Sequence, residues 1–218
     1  MGVKENLSFI KEQIGNNNVK IIAVTKYATS SQLLEAYSEG IRDFGESYVQ
    51  DALKKFEVLN FDISVKWHFI GRLQKNKVKF LIPNFYLIHS VDSTELASVI
   101  NKKASENKIT QNILLQVNIQ EELTKAGFKR KELVSSFEKL AELSSIKILG
   151  LMTIAPNTNE EKIIRECFQE LAKLKEEINT NHRANLKELS MGMTNDYKIA
   201  IECGATMVRI GRAIFKTT

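Results

Sequence analysis

The stretch Lys20-Ile-Ile-Ala-Val-Thr-Lys26-Tyr-Ala-Thr29 decides how the rest of the chain is read. It is a run of apolar and β-branched residues, too short for a typical helix, that ends in small and polar ones. Strand parity puts Ile22, Val24 and Lys26 on one face and Ile21, Ala23 and Thr25 on the other. Both faces are apolar up to the end, as in a parallel strand covered on both sides. Lys26 then stands where the strand leaves the sheet. A lysine there either extends its ammonium into solvent or is a partly desolvated amine of lowered pKa, ready to form a Schiff base. The remaining segments separate these readings.

Working outward, strand-like runs alternate with helical periodicity. Strands are predicted at about 20–25, 41–44, 65–70, 86–89, 113–118, 146–152, 186–190 and 206–210. Amphipathic segments fall between them. One starts near Ser30 as cap, one at Asp92 or Ser93, one at Thr194, and the longest spans about 159–178. Another precedes the first strand, around Leu7, Ile10 and Ile14. Repeated βα alternation implies parallel strands joined by helical crossovers. Eight units in 218 residues favour a closed barrel over an open doubly wound sheet. No Gly-x-Gly-x-x-Gly follows the first strand, which weakens a dinucleotide-binding fold. The fold class is therefore α/β, a single (β/α)8 TIM-type barrel with an extra N-terminal helix, one domain over 1–218.

Composition narrows the function classes. The formal charge of +5 comes from basic residues scattered among acidic ones, without a Lys/Arg stripe interleaved with aromatics. Solubility or attraction to small anions follows, and a nucleic-acid surface does not. Cys167 and Cys203 make no disulfide framework, and no Cys/His group has metal-ligand spacing. The N-terminus lacks an apolar signal core, and no run approaches the roughly 18 apolar residues of a membrane span. A cytoplasmic address without membrane contact is expected.

In a barrel of this kind the site lies at the carboxyl ends of the strands, with phosphate often held after strands seven and eight. Strand one delivers Lys26. Strand seven ends in Ser190-Met-Gly-Met-Thr194, where glycine allows close backbone approach and Thr194 opens a helix whose free N–H groups favour an anion. Strand eight carries Arg209 among Met207, Val208 and Ile210, a costly place for a guanidinium without a partner. Parity puts Arg209 and Gly211 on one face. Asp43-Phe-Gly-Glu-Ser47-Tyr48 places polar groups just beyond strand two, at the rim, and Asn76 is read as a cap for the following helix. His68 and His89 read as satisfied core imidazoles, although His68 is also carried as a candidate ligand contact. An amine, an inward arginine and an anion cradle facing one pocket suit pyridoxal phosphate: an imine holds the aldehyde, arginine faces the pyridine nitrogen, and a helix terminus holds the phosphate.

Seven motifs carry a resemblance. Ile22-Ala-Val-Thr-Lys26, Phe44-Gly-Glu-Ser-Tyr-Val-Gln50, Trp67-His-Phe-Ile-Gly-Arg-Leu-Gln-Lys-Asn-Lys77 and His89-Ser-Val-Asp92 are followed by Gly150-Leu-Met-Thr-Ile154, Leu189-Ser-Met-Gly-Met-Thr194 and Thr206-Met-Val-Arg-Ile-Gly211. In this order they resemble the pyridoxal phosphate homeostasis proteins, over nearly the whole chain. The resemblance implies a barrel similar to the N-terminal domain of alanine racemase, with the cofactor held as a Schiff base on Lys26 and Arg209 near the pyridine nitrogen. It gives the phosphate to Thr194, Gly211, the backbone of Arg212 and the segment Ser190, Met191, Gly192. It also implies a role in vitamin B6 and amino-acid balance without established turnover, in a monomer or weak dimer serving PLP-dependent apoenzymes. Ser47 stands where family members commonly carry Asn, Arg72 where Pro is frequent, Thr194 where Ser is frequent and Lys216 where Gly is common. The alternatives are a compact amino-acid racemase and a cofactor-free Schiff-base lyase.

Overall fold

Eight short apolar runs joined by amphipathic segments can bury both kinds of element if the strands close into a ring and the helices lie outside it. The computed structural model describes residues 2–59 and 62–216 and has this form. The strands are β1 (Lys20–Val24), β2 (Asp43–Glu46), β3 (Lys66–Phe69), β4 (Leu87–Val91), β5 (Gln111–Gln116), β6 (Ile146–Met152), β7 (Glu188–Ser190) and β8 (Met207–Ile210). They pair in chain order, all parallel, and β1 pairs with β8 to close the barrel. The expected (β/α)8 barrel is the observed one.

Outside run α1 (Val3–Ile14), α2 (Ser30–Ser38), α3 (Val49–Leu59), α4 (Val78–Leu81), α5 (Thr94–Glu106), α6 (Arg130–Ala141), α7 (Glu161–Asn181), α8 (Tyr197–Glu202) and α9 (Arg212–Phe215). The extra helix α1 buries Val3, Leu7, Ile10 and Ile14 and packs against α2, α8 and α9. In α7, Ile164, Phe168, Leu171, Leu174 and Ile178 recur at three- and four-residue spacing, and all are buried. Among the described residues no helix is long and apolar enough to cross a membrane.

Strand parity divides the apolar residues into two groups. Ile22, Leu87, Leu114, Met152 and Met207 fill the lumen. Ala23, Phe44, Phe69, Ile88 and Ile113 point outward into the shell beneath the helices.

Several boundaries differ from the sequence reading. β2 begins two residues later than predicted, because Ile41 still closes the turn after α2 through its N–H to Ala36 O at 3.1 Å. Gly45, read as a strand end, lies inside β2; a Cβ there would come within 2.9 Å of Ile22 Cγ2 in the crowded lumen. The cap of α2 is Thr29 instead of Ser30: Thr29 Oγ1 accepts Gln32 N–H, and Gln32 Oε1 accepts Thr29 N–H at 3.0 Å. Of Asp92 and Ser93, the two caps offered for α5, Ser93 is the one used, accepting Leu96 N–H at 3.3 Å. Asn76 caps nothing and lies within a single 3-10 turn, Lys75–Lys77.

Candidate functional site

Inward positions on five strands carry polar groups, and they meet. Asp43 at the start of β2 bonds through Oδ1 to His68 Nε2 of β3 at 2.9 Å. His68 Nδ1 lies 2.9 Å from His89 Nε2 of β4. The chain then crosses the lumen: His89 Nδ1 is 2.9 Å from Ser190 Oγ of β7. Ser190 Oγ also accepts from Arg209 Nη1 of β8 at 2.7 Å, while Arg209 Nη2 donates to Thr153 O at 2.8 Å. His68, His89 and Ser190 are fully buried and Arg209 is 5% exposed. Among the described residues no carboxylate forms an ion pair with Arg209. Burial draws the guanidinium down to about 10, against a smaller opposing pull from Asp196, so it remains charged at neutral pH.

Lys26 stands at the mouth, two residues past β1. It is exposed, with Nζ 5.1 Å from the Tyr27 ring centroid and 5.2 Å from that of Tyr48. Its ammonium is held above its ordinary 10.5, by the Tyr27 side chain first and Tyr48 next. Of the two readings of Lys26, the solvent-exposed one describes this structure and the desolvated amine of lowered pKa does not, because β1 ends at Val24 and carries Lys26 clear of the walls. Beneath it lies a buried clamp that sequence reasoning missed. Glu46 accepts from Thr25 Oγ1 at 2.6 Å, from Lys55 Nζ and from Ser47 N–H at 3.0 Å. Lys55 also donates to Thr25 O at 2.5 Å. This fixes the residue before Lys26 to the end of β2. Ser47 and Tyr48 then border a cleft of about 370 Å³ with Gly71 and Lys77.

At the exits of β7 and β8, Arg209 N–H donates to Gly192 O at 2.9 Å, so the chain after Ser190 continues alongside β8. Gly192 has φ +88°, and a Cβ on it would lie 2.5 Å from Ala200 Cβ. On Gly211 a Cβ would come within 3.1 Å of Val24 O. Arg212 is exposed and opens α9, whose first N–H groups lack intrahelical partners. Thr194, half-buried, lies in a turn ahead of α8 instead of opening it. Asp196 closes that turn by accepting Met193 N–H, and the helix proper starts at Tyr197.

The predicted residues therefore fall into two groups. Lys26, Gly192, Thr194, Gly211 and Arg212 are at the carboxyl end of the barrel, with Ser47 at the rim and Met191 buried just below it. His68 and Ser190 are deeper than their predicted roles require. Both ring nitrogens of His68 are engaged by Asp43 and His89, and the Ser190 hydroxyl is engaged by His89 and Arg209. Both side chains are joined to Arg209 by hydrogen bonds, Ser190 directly and His68 through His89 and Ser190. Asp43, placed at the rim by the sequence reading, begins β2 at the opposite end of the barrel.

This fold and lumen define a barrel of the alanine racemase class, and the family model for the alanine racemase N-terminal domain matches residues 2–218. A pyridoxal phosphate homeostasis protein of Aquifex aeolicus (strain VF5) is 41% identical over 99% of this chain and 98% of its own length. One from Synechocystis sp. (strain ATCC 27184 / PCC 6803 / Kazusa) is 43% identical over 91% of each chain. The solved structure of PipY from Synechococcus elongatus PCC7942, with PLP bound, matches with a TM-score of 0.92 and 33% identity, covering 98% of this chain and 100% of that one. The chain belongs to the pyridoxal phosphate homeostasis protein family.

Proposed function

We propose that residues 1–218 act as one domain that holds pyridoxal 5'-phosphate on Lys26 and serves cofactor and amino-acid balance without turning over a substrate of its own. The observation that carries this reading is Arg209: a buried guanidinium with only neutral partners, two of its five N–H groups used, at the same end of the barrel as an exposed amine. A buried cation so arranged suits a polar acceptor supplied by a ligand. The glycines at the exits of β7 and β8 let the backbone pack closely where side chains do not fit.

In this reading Lys26 takes the aldehyde and Arg209 faces the ring nitrogen. Thr194 and the backbone at Met191, Gly192, Gly211 and Arg212 hold the phosphate. When bound, the cofactor supplies an electrophilic carbonyl that condenses with an amine, releasing water, and a ring that withdraws electrons. Arginine does not give up its proton at physiological pH, so it offers the ring a hydrogen bond without protonating it. Carbanion stabilisation is then weak, which favours a carrier over a catalyst. The recipients in this reading are PLP-dependent apoenzymes in the cytoplasm, served by a monomer or weak dimer.

Purified chain mixed with pyridoxal phosphate is expected to gain a visible absorption band that Lys26→Ala lacks. Equal spectra for the two would refute the reading. One observation favours a second reading, an amino-acid racemase: Tyr27 and Tyr48 flank Lys26, where a hydroxyl could serve as an opposing base. Sustained conversion of an L-amino acid to its D form, lost in Lys26→Ala, would establish it.

A further inference from the structure

The hydrogen bonds in the lumen have a proton order dictated by their ends. Arg209 only donates, and an ionised Asp43 only accepts. Burial opposes ionisation of Asp43, but the bond from His68 and the charges of Lys66 and Lys20 hold its carboxyl below the ordinary 3.8. Both imidazoles are neutral at physiological pH. Burial lowers His68 against the opposing pull of Asp43, and it lowers His89 well below the ordinary value, with the charge of Arg209 adding to the effect. With neutral rings only one arrangement satisfies every link. His68 Nε2–H donates to Asp43, His89 Nε2–H donates to His68 Nδ1, Ser190 O–H donates to His89 Nδ1, and Arg209 Nη1–H donates to Ser190.

Such a chain is unusual filling for a lumen of this class, where branched aliphatic residues dominate. Burying these groups costs desolvation that the apolar lumen residues beside them do not incur. What the chain secures is direction: each donor polarises the next, and Ser190 can face Arg209 only with its lone pairs. Together with Thr153 O it fixes both terminal nitrogens of the guanidinium. Its far end, Asp43, lines a cleft of about 470 Å³ with Lys11, Gly15, Val19, Ile21 and Arg42. β2 begins at Asp43, so this cleft lies at the end of the barrel opposite Lys26.

We propose that Asp43, His68 and His89, acting through Ser190, are positioning residues that hold Arg209 in register with the cofactor's ring nitrogen. This rests on the reading that the chain binds pyridoxal phosphate. The three side chains do not touch the cofactor; they set the orientation and hydrogen-bond direction of the one that does.

The chain has only three histidines, so side-chain ¹⁵N spectra are simple to assign. With ¹⁵N-histidine in the cofactor-free protein at pH 7.5, His68 and His89 are expected as neutral rings protonated on Nε2. A charged ring, or a proton on Nδ1 of either, overturns the proposal. In protein loaded with ring-¹⁵N pyridoxal phosphate, Asp43→Ala is expected to move the ring-nitrogen signal and weaken cofactor affinity about three- to tenfold, the scale of one hydrogen bond. Asp43→Asn, which keeps an acceptor oxygen for His68, is expected to restore affinity to within about twofold of wild type; loss equal to that of Asp43→Ala refutes the relay. Borohydride reduction is the loading control. A Lys26 adduct with an unmoved ring signal in Asp43→Ala overturns the relay alone, whereas no Lys26 adduct in wild type overturns cofactor binding and the relay with it. The histidine spectrum needs no substitution and decides even where a variant folds poorly.

Discussion

The lumen and the shell of this barrel are both largely buried but differ in chemistry. In the shell Phe44, Phe69, Phe128 and Phe168 are buried among apolar side chains from strands and helices. In the lumen Asp43, His68, His89, Ser190 and Arg209 share the space with five apolar residues. Shell contacts are non-directional and tolerate exchange by volume. Lumen contacts are directional, and removing one partner strands the next. The difference teaches that stability here is mostly a property of the shell, and that the lumen has given up apolar packing for an oriented cation beneath the mouth.

The comparison is most exposed to a shell substitution. Phe168→Ala is expected to cost about 3–5 kcal/mol in urea unfolding while leaving cofactor affinity of the folded fraction unchanged. A parallel fall in affinity would merge the two regions. In the lumen, Arg209→Ala is expected to keep covalent attachment at Lys26 but to weaken cofactor binding roughly ten- to hundredfold, the scale of a hydrogen bond from a charged donor. Unchanged binding, read by spectral titration, would remove Arg209 from the site.

A pH series sharpens the contrast. His68 and His89 are neutral when folded and bind protons more readily when unfolded, around the ordinary 6.5. Their contribution is therefore fully present above about pH 6.5 and is lost as pH falls through the lowered folded values. Urea midpoints should decline from pH 7.5 to 5, and His89→Gln should decline less steeply. Equal slopes would mean that the imidazoles are not the source. The smallest expected effect lies outside both regions: Ser93→Ala should cost about 1 kcal/mol through loss of the α5 cap, with no change in cofactor binding.

Much of this was legible in the sequence because strand parity and βα alternation are local signals. Lys26 and Arg209 were nominated by their places at strand ends, and the barrel by its eight units. What was not legible depends on a register set elsewhere. Gly45 reads locally as a break, yet a Cβ on it would crowd Ile22 of the neighbouring strand; reading it as a break shifts β2 by two residues and puts Asp43 at the wrong end. His68, His89 and Ser190 lie on three strands, 21 residues apart in the first pair and 101 in the second, and parity alone does not say that their rings and hydroxyl meet. The choice between an exposed and a desolvated Lys26 stayed open because a strand pattern does not reveal where the wall stops.

The central claim, that this barrel holds its cofactor on Lys26, is tested most directly by trapping. The chain is incubated with pyridoxal phosphate, reduced with borohydride, digested and mapped by mass spectrometry. The account predicts one dominant phosphopyridoxyl-bearing peptide, with the added mass on Lys26. An unmodified Lys26, or label spread evenly over the other surface lysines, would contradict it.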